Sequence, residues 1–478
     1  MAAHPRRWWI LFVVLAAECM DMVDGSIVNV ALPSIRRHFH SSDSALQWIA
    51  GGYSLALAVG LITGGRLGDR YGRRRMFVLG ALGFTLCSLG CGIASSTTLL
   101  VAFRLGQGLC GALLAPQGLG IMRAVFPAEE LSKAFAFFGP VIGASAVVGP
   151  LVGGLLVGAH GLGGWRLVFF VNVPLGAAAV AGAAALMPEV RASHAPRIDV
   201  TGAVLSGGAL LALVYPLIEG RPAGWPAWIF AALAGGVALL AVFGMQQRRR
   251  FRTGRIGLVE PGLFGHRGYT AGSLVLVVFI TGISGLLFTL GLYFQLGEGF
   301  SALHAGLTFL PWSVGLAAGA GLSGAVLAPR YGRRVVEAGV GLSLGGAVLL
   351  VLETRAAAVS TWDVLPGMGL TGVGLGMIVA PLFGIILAAV GERELGSASG
   401  VLNALQELSG AIGVAVLGTV FFDALDGGHF ARALGRTLWI DAGLMALSIV
   451  LMPLMPLHAR PEEELAADGT AEIDAAAA

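Results

Sequence analysis

Three carboxylates, Glu18, Asp21 and Asp24, lie three residues apart within the first long apolar stretch of the chain. In a helix this spacing places the side chains on neighbouring turns of one face. Burial and mutual repulsion both oppose the ionisation of all three groups, so we expect at least one to hold a proton near neutral pH. The cluster therefore predicts reversible proton binding in an apolar environment.

Arg104 is the only base well inside an apolar stretch. It can hold a carboxylate of the first stretch ionised until a proton or substrate displaces it, although purely structural pairing is the alternative. Gln107 can extend such a network, and Glu407, beside Gln406 in a later stretch, can bind a cation or a proton, or lie at the cytoplasmic edge. We expect Asp21, Gln107, Gln406 and Glu407 to line a substrate cavity.

The composition identifies the environment that must hold these residues. Of 478 residues, 56% are hydrophobic and only 12% are charged, and the mean hydropathy is +0.83. A soluble domain carries about 25% charged residues, so most of this surface must face lipid. Soluble enzymes and nucleic-acid binders are therefore poor interpretations. The chain has no Walker-type phosphate loop and its only lysine is Lys133, which argues against a nucleotide-driven pump. We expect no cofactor and no metal.

Apolar stretches of about 20 residues, the length that crosses a bilayer, recur along the chain. They predict an all-α polytopic membrane protein of about fourteen spans. The stretches cover 8–32, 47–66, 76–94, 98–122, 134–158, 166–187, 200–219, 226–246, 269–295, 303–328, 335–353, 362–390, 397–421 and 437–457.

The distribution of basic residues predicts the orientation. Most of the 30 Lys and Arg residues fall at the N-terminus and in alternate loops, as in 73–75 and 248–255. The positive-inside rule then places both termini in the cytoplasm of a cell whose inner membrane holds the protein. We interpret the 248–255 cluster as a topology signal rather than a lipid-binding patch.

An internal repeat organises the spans. The pentapeptide Arg-Tyr-Gly-Arg-Arg at 70–74 recurs at 330–334, each time after the second span of a six-span block. We predict an N-terminal half at 1–190, two inserted central spans with a basic loop at 191–265, a C-terminal half at 266–457, and a disordered acidic tail at 458–478. Two related halves around a midplane cavity are typical of transporters.

The segment around the first copy resembles the loop signature between spans two and three of the major facilitator superfamily. The resemblance is carried by the run Gly65-Arg66-Leu67-Gly68-Asp69-Arg70-Tyr71-Gly72-Arg73-Arg74-Arg75. It implies a conformational latch in which Asp69 pairs with Arg73 or with a helix N-terminus of the other half. The second copy has Pro329 in place of Asp69, so a carboxylate latch belongs to the first half alone. A simple charged topology loop is the other interpretation.

Three further segments resemble the fourteen-span drug:proton antiporters of that superfamily. They are 24–33, the fourth-span run Arg104-Leu105-Gly106-Gln107-Gly108, and the so-called antiporter motif with Gly149, Pro150, Gly153 and Gly154. The fuller form of that motif expects Gly where this chain has Ser145. The resemblance implies proton coupling through Asp24 and Arg104, and bending of span five at Pro150 during export; simple glycine packing is the alternative for the motif.

These observations together predict proton-coupled export of lipophilic or cationic drugs or antibiotics by alternating access. The expected partners are protons, a small-molecule substrate and the bilayer, without nucleic acid, and the expected functional unit is a monomer. A proton-coupled importer or a metabolite or lipid transporter of the same fold remains open, as does a non-transporting membrane sensor. The sequence does not identify the substrate.

Overall fold

The fold comes from a computed structural model, which describes residues 4–159, 163–191, 198–255, 257–355, 359–391, 394–425 and 428–457. Within these ranges all regular secondary structure is helical. The predicted tail at 458–478 lies outside the described residues.

The first group of helices covers the predicted N-terminal half. Serine side chains cap two of them: Ser42 accepts from the backbone of Ala45 and Ser96 from that of Leu99. The helices are α1 Arg7–Phe39, α2 Asp43–Tyr71, α3 Arg73–Ile93, α4 Thr97–Val125, α5 Ala128–Ala136, α6 Phe138–Gly158, α7 Leu167–Phe170 and α8 Asn172–Leu186.

The second group begins with the central pair and continues into the predicted C-terminal half. The helix α11 ends in a π-helical turn, Tyr293–Gly297. The helices are α9 Val200–Glu219, α10 Ala227–Arg252, α11 Arg267–Leu292, α12 Ala302–Thr308, α13 Leu310–Leu322, α14 Ala328–Tyr331, α15 Arg333–Glu353, α16 Thr361–Leu387, α17 Leu395–Ala424 and α18 Phe430–Leu451.

Among the described residues, twelve helical segments are long and apolar enough to cross a membrane. Two of the fourteen predicted spans are not among the twelve. One is α1, whose 33 residues include Glu18, Asp21 and Asp24. The other is α6, which is apolar throughout but whose described stretch, Gly143–Gly158, is too short to cross a membrane by itself. The structure therefore establishes a polytopic helical fold without establishing the count of fourteen.

The sequence repeat corresponds to a repeated structure. Gly72 and Gly332 both adopt positive φ, of 109° and 52°, where the chain turns into α3 and α15. The next residue donates its backbone N–H to a carbonyl beyond the last helix of the same half: Arg73 to Val190 at 2.9 Å, and Arg333 to Leu457 at 2.9 Å. Each turn thus ties the second and third helices of its half to the end of the last one.

The two halves meet along two seams. On one seam α2 packs against α17, and on the other α6 packs against α12 and α13. The central helix α9 lies on the first seam, where Val214 and Ile218 pack with Leu55 of α2 and Ala411 of α17. The central helix α9 therefore contacts both halves at once, and α10 packs against α9.

Candidate functional site

A fully buried polar cluster lies between α1, α4 and α8. The Asp24 carboxylate, which has no exposed surface, pairs with the Arg104 guanidinium. It also accepts hydrogen bonds from the side-chain amides of Gln107 at 3.0 Å and Asn172 at 2.6 Å. Three donors satisfy one carboxylate, the arrangement that a buried charge needs when water is absent.

Arg104 is held from several sides. Its Nε donates to the Ile49 carbonyl at 3.1 Å, and its terminal nitrogen donates to Gln107 Oε1 at 2.8 Å. Its guanidinium also lies 4.3 Å from the centre of the Tyr53 ring, a cation–π distance. The base predicted from the sequence therefore has a carboxylate partner, and the structure places Gln107 inside this network, where it has no exposed surface.

Tyr53 connects the buried cluster to a second carboxylate. Its hydroxyl donates to Asp21, while its ring packs against the Arg104 guanidinium. Asp21 is only half-buried, as is Glu18, and the two carboxylates face Gly111 and Gly118 of α4. A change in the charge of Asp21 can thus affect Arg104 through the single side chain of Tyr53.

Glu407 of α17 brings the other half to the same place. Its carboxylate lies close enough to Ser54 of α2, to the neighbouring Gln406 and to Asp21 of α1 to interact with them electrostatically. Glu407 and Gln406 are half-buried. Of the predicted cavity residues, Asp21, Gln406 and Glu407 therefore lie on a shared, partly accessible surface, and Gln107 lies behind it.

The latch segment makes its described contacts within the N-terminal half. Asp69 and Arg73 form an ion pair of 2.6 Å within one turn, and Arg74 donates to the Ala184 carbonyl of α8. Arg70 lies against the neighbouring Tyr71 ring at 5.5 Å. A side chain at Gly72 would collide with Glu189, and Gly65 lies beside Pro116 of α4.

The glycines of α6 face two different neighbours. A Cβ at Gly149 or Gly153 would meet Ser26 or Ile27 of α1. A Cβ at Gly154 would instead lie 2.7 Å from the Cα of Leu303 in α12, and the Pro150 carbonyl lies against Gly306 of the same helix. The motif therefore allows α6 to approach both its own half and the opposite one.

Three residues of interest were not identified from the sequence. Asn172 and Tyr53 are neutral, so no charge in an apolar run marks them. Asp441 in α18 is different, because the rule that marked Glu18 also marks it. It is buried with 1% exposure, neither carboxylate oxygen has a described hydrogen-bond partner, and it faces Gly282 of α11.

Solved transporters share this fold. The chain superposes on an auto-inhibited peptide transporter of the POT family with a TM-score of 0.70, at 14% identity over 96% of this chain and 99% of the other. A D-xylose–proton symporter gives 0.68, at 16% identity over 94% and 98%. At such low identity the likeness concerns the fold alone.

Curated relatives are more similar in sequence. A probable actinorhodin transporter of Streptomyces coelicolor is 47% identical over 88% of this chain and 74% of its own length. The puromycin resistance protein pur8 of Streptomyces alboniger is 37% identical over 87% and 82%. A tetracenomycin C resistance and export protein of Streptomyces glaucescens is 35% identical over 87% and 76%.

The family model of the Major Facilitator Superfamily matches residues 14–414, most of the chain. The prediction of that superfamily from the 65–75 segment is therefore confirmed. Together with the helical fold, the match identifies a multi-pass membrane protein that acts as a secondary transporter rather than as an enzyme. The chain belongs to the Major Facilitator Superfamily.

Proposed function

We propose that the protein exports lipophilic or cationic small molecules, antibiotics among them, across the cytoplasmic membrane in exchange for protons. The names of its relatives support the substrate class: an actinorhodin transporter, a puromycin resistance protein, and a tetracenomycin C export protein. The functional unit is a single chain, because one chain supplies both halves and the carboxylates between them.

The observation that carries the proposal is the connected series of ionisable groups from the cavity surface to the buried cluster. Glu18, Asp21 and Glu407 are partly accessible, Tyr53 bonds to Asp21 and packs on Arg104, and Arg104 pairs with Asp24. Ionisable groups at membrane depth are expensive and usually functional. A series of this kind gives a proton a route inward and a charge pair that responds when the proton arrives.

The proposed coupling step exchanges partners at Arg104. A proton from the outside reaches the cavity surface at Asp21, and neutralisation of Asp24 weakens its hold on Arg104. The guanidinium then shifts its contacts, and the packing of α4 against α1 and α2 changes with it. Substrate binding favours the opposite arrangement and releases the proton to the cytoplasm past Glu18, the carboxylate nearest the N-terminal end of α1. Proton and substrate thus stabilise different orientations of the two halves.

We infer fourteen spans with both termini in the cytoplasm, divided at the predicted boundaries 1–190, 191–265 and 266–457. To the twelve apolar segments this adds α1, with 33 residues, and α6, with 21, both long enough to cross about 30 Å of hydrocarbon. The α1 carboxylates face other helices rather than lipid, which makes them tolerable in a span. The basic end of α10, at Arg249 and Arg250, then lies in the cytoplasm with the latch segment.

In this cycle the cytoplasmic latch and the α6 motif control the movement of the halves. We assign the latch to Gly65, Asp69, Arg70, Gly72 and the following arginines Arg73 and Arg74. The Asp69–Arg73 pair stiffens the end of α2. The glycines Gly149, Gly153 and Gly154, with Pro150, let α6 slide between α1 and α12.

Proton movement in inverted membrane vesicles tests the proposal. An acid-inside gradient is set, puromycin and other lipophilic compounds are added singly, and proton release is followed. We expect release by some compounds with the wild type and none with Asp21→Asn. Asp423→Asn, which alters an exposed carboxylate at the outer end of α17, is the matched control and should behave as the wild type.

Two results would contradict the proposal. Silence of the correctly inserted wild type across the panel would exclude antiport of these compounds. Equal release by the wild type and Asp21→Asn would leave antiport standing but remove Asp21 from the proton route.

A further inference from the structure

A second cavity, the apolar chamber, lies between the two halves. Its walls come from α1 and α6 on one side and from α11, its π-helical turn and α13 on the other, and its volume is about 300 Å³. Met22, Leu287 and Phe309 contribute apolar surface, and Pro150 of the α6 motif forms part of the wall. The chamber therefore contacts elements that must move relative to one another during transport.

Two buried polar groups in the chamber wall have no described partner. They are Gln295 Oε1 and Trp312 Nε1, and their side chains are only 5% and 8% exposed. The Gln295 amide nitrogen donates to the Val30 carbonyl at 3.1 Å, which fixes the amide and leaves its oxygen as a free acceptor. Eleven buried side-chain atoms of the described residues lack a partner, and these two lie in the wall of one chamber, where a single bound molecule can satisfy both.

The chamber wall is uncharged. Its twelve described residues include no acidic or basic side chain, and neither Asp21 nor Glu18 belongs to it. Transfer of a charged group into such a site is strongly unfavourable without a counter-charge. A cation would therefore prefer the carboxylate surface around Asp21 and Glu407 to the apolar chamber.

We infer that the apolar chamber binds a neutral, ring-containing molecule that presents one hydrogen-bond acceptor to Trp312 and one donor to Gln295. This inference rests on the proposed export function and assigns the uncharged members of its substrate class to the chamber. The volume lies at the lower end for small-molecule sites and suits about two or three fused rings. The Phe309 and Trp312 rings supply flat apolar surface against such a ring system.

The position of the chamber also relates binding to movement. A ligand inside it touches α1 and α6 of one half and α11 and α13 of the other. Gln295 lies in a π-helical turn, a local irregularity that is common at functional sites. A bound molecule therefore holds the two halves together at this seam without neutralising any carboxylate.

Acridone is a suitable probe, since it is neutral, has three fused rings, and carries one carbonyl acceptor and one N–H donor. N-methylacridone lacks the donor, and 9-aminoacridine is a cation of the same ring system. Binding would be followed by fluorescence with the full chain in lipid nanodiscs, with empty nanodiscs correcting for partitioning. We expect the wild type to bind acridone about three- to tenfold more tightly than N-methylacridone, the loss of one hydrogen bond.

Two variants assign the hydrogen bonds. Trp312→Phe should weaken both neutral probes by about three- to tenfold, because both retain the carbonyl. Gln295→Met should weaken acridone alone, so the difference between the two probes should vanish. Trp439→Phe, at an exposed tryptophan of α18, is the control and should change nothing. We expect 9-aminoacridine not to displace acridone.

The inference is overturned if neither substitution changes the affinity for acridone, or if 9-aminoacridine displaces acridone. The wild type alone gives a further test, because equal affinity for acridone and N-methylacridone excludes the Gln295 contact whether or not a variant folds. Puromycin-driven proton release from vesicles separates this failure from that of the proposed function. If puromycin drives proton release but acridone binding does not depend on Gln295 or Trp312, the chamber is excluded as the binding site and antiport stands. If acridone binding depends on these residues but no proton is released, the chamber stands as a ligand site and antiport is excluded.

Discussion

At the scale of the residue, Asp24 receives donors from two other helices, α4 and α8. A buried ion pair that is fully hydrogen-bonded is stable while both partners remain, but removal of one leaves an uncompensated charge. Arg104 is in that position, because its only described carboxylate partner is Asp24. The pair can therefore switch between two states, because one proton on Asp24 breaks the ion pair and its loss restores it.

Replacement of Asp24 tests this dependence. Asp24→Asn should destabilise the protein by about 3–5 kcal/mol, because Arg104 is left buried and unpaired. Asp24→Asn combined with Arg104→Gln should regain most of that loss, since no charge remains. Thermal unfolding of the purified protein measures both. A double variant as unstable as the single one would show that the charge pair is not the source of the effect.

Tyr53 has two contacts that substitution can separate. Tyr53→Phe keeps the ring against Arg104 and removes the bond to Asp21, so we expect near-normal stability with slower proton-coupled transport. Tyr53→Leu also removes the cation–π contact and should lose roughly 0.5–2 kcal/mol more. Unfolding temperatures and vesicle transport rates give the comparison. Equal transport by Tyr53→Phe and the wild type would remove the Asp21 bond from the proton route.

The sequence predicted part of this site for a physical reason. Charged groups in apolar runs are rare, so Asp24, Arg104 and Glu407 were visible without a structure. Asn172 was not, because neutral polar residues are common in spans and its contact with Asp24 joins positions 148 residues apart. The unpartnered atoms of Gln295 and Trp312 result from the packing of the two halves against each other. No local sequence pattern predicts that packing.

At the scale of the element, α6 packs against α1 of its own half and against α12 and α13 of the other. Its Gly154 allows backbone contact with α12, and Gly143, lower on the same helix, has only an ordinary contact of 3.6 Å to Ala317. The close approach at Gly154 is therefore specific to one end of the seam. A helix that packs this tightly transmits any change in the orientation of the halves.

A larger side chain at position 154 should push α6 away from α12. Gly154→Ala places a methyl group within 3 Å of the α12 backbone, so we expect a loss of about 1–3 kcal/mol in the packed arrangement and slower turnover. Gly143→Ala is the control and should be nearly silent. Unfolding temperature and transport rate, measured side by side, decide between them. Equal effects of the two substitutions would argue against a special contact at Gly154.

The junction of α9 and α10 depends on one carboxylate. Asp199 accepts from the Gly202 backbone at 2.9 Å and the Gln247 amide at 2.9 Å, and pairs with Arg250 at 3.1 Å. Burial acts to raise the pKa of Asp199, but these hydrogen bonds and the Arg250 charge outweigh it and hold the pKa below its usual value. Ionised Asp199 therefore stabilises the junction.

The pH dependence follows from that direction. Because the folded pKa is depressed, the stabilisation is present above the unfolded value of about 3.9 and is lost as the pH falls through the lower, folded value. We expect Asp199→Asn to cost about 1–2 kcal/mol between pH 5 and 8. The difference in unfolding temperature from the wild type should shrink below about pH 4. A difference independent of pH would show that the charge is not involved.

At the scale of the whole molecule, the two copies of the repeat carry the same turn and the same closing hydrogen bond, from Arg73 to Val190 and from Arg333 to Leu457. The repeated pentapeptide made this symmetry predictable. The position of α9 on the seam between α2 and α17 was not predictable. The residues of α9 are apolar on all sides, so no pattern in its sequence indicates which helices it packs against. The count of fourteen spans rests on α1, whose apolar run is interrupted by Glu18, Asp21 and Asp24, and on α6, which has no charged residue but a short described stretch.

The coupling of proton flow to export is the central claim, and reconstituted transport tests it most directly. Purified wild type and the Asp24→Asn, Arg104→Gln double variant would be placed in proteoliposomes with an acid interior. Uptake of labelled puromycin into the liposomes, by the molecules whose cytoplasmic side faces outward, would then be followed. We predict that the gradient accelerates uptake by the wild type and that a protonophore abolishes the effect, whereas the double variant exchanges substrate without responding to the gradient. Equal acceleration of the two proteins, or a wild type indifferent to the gradient, would contradict the account.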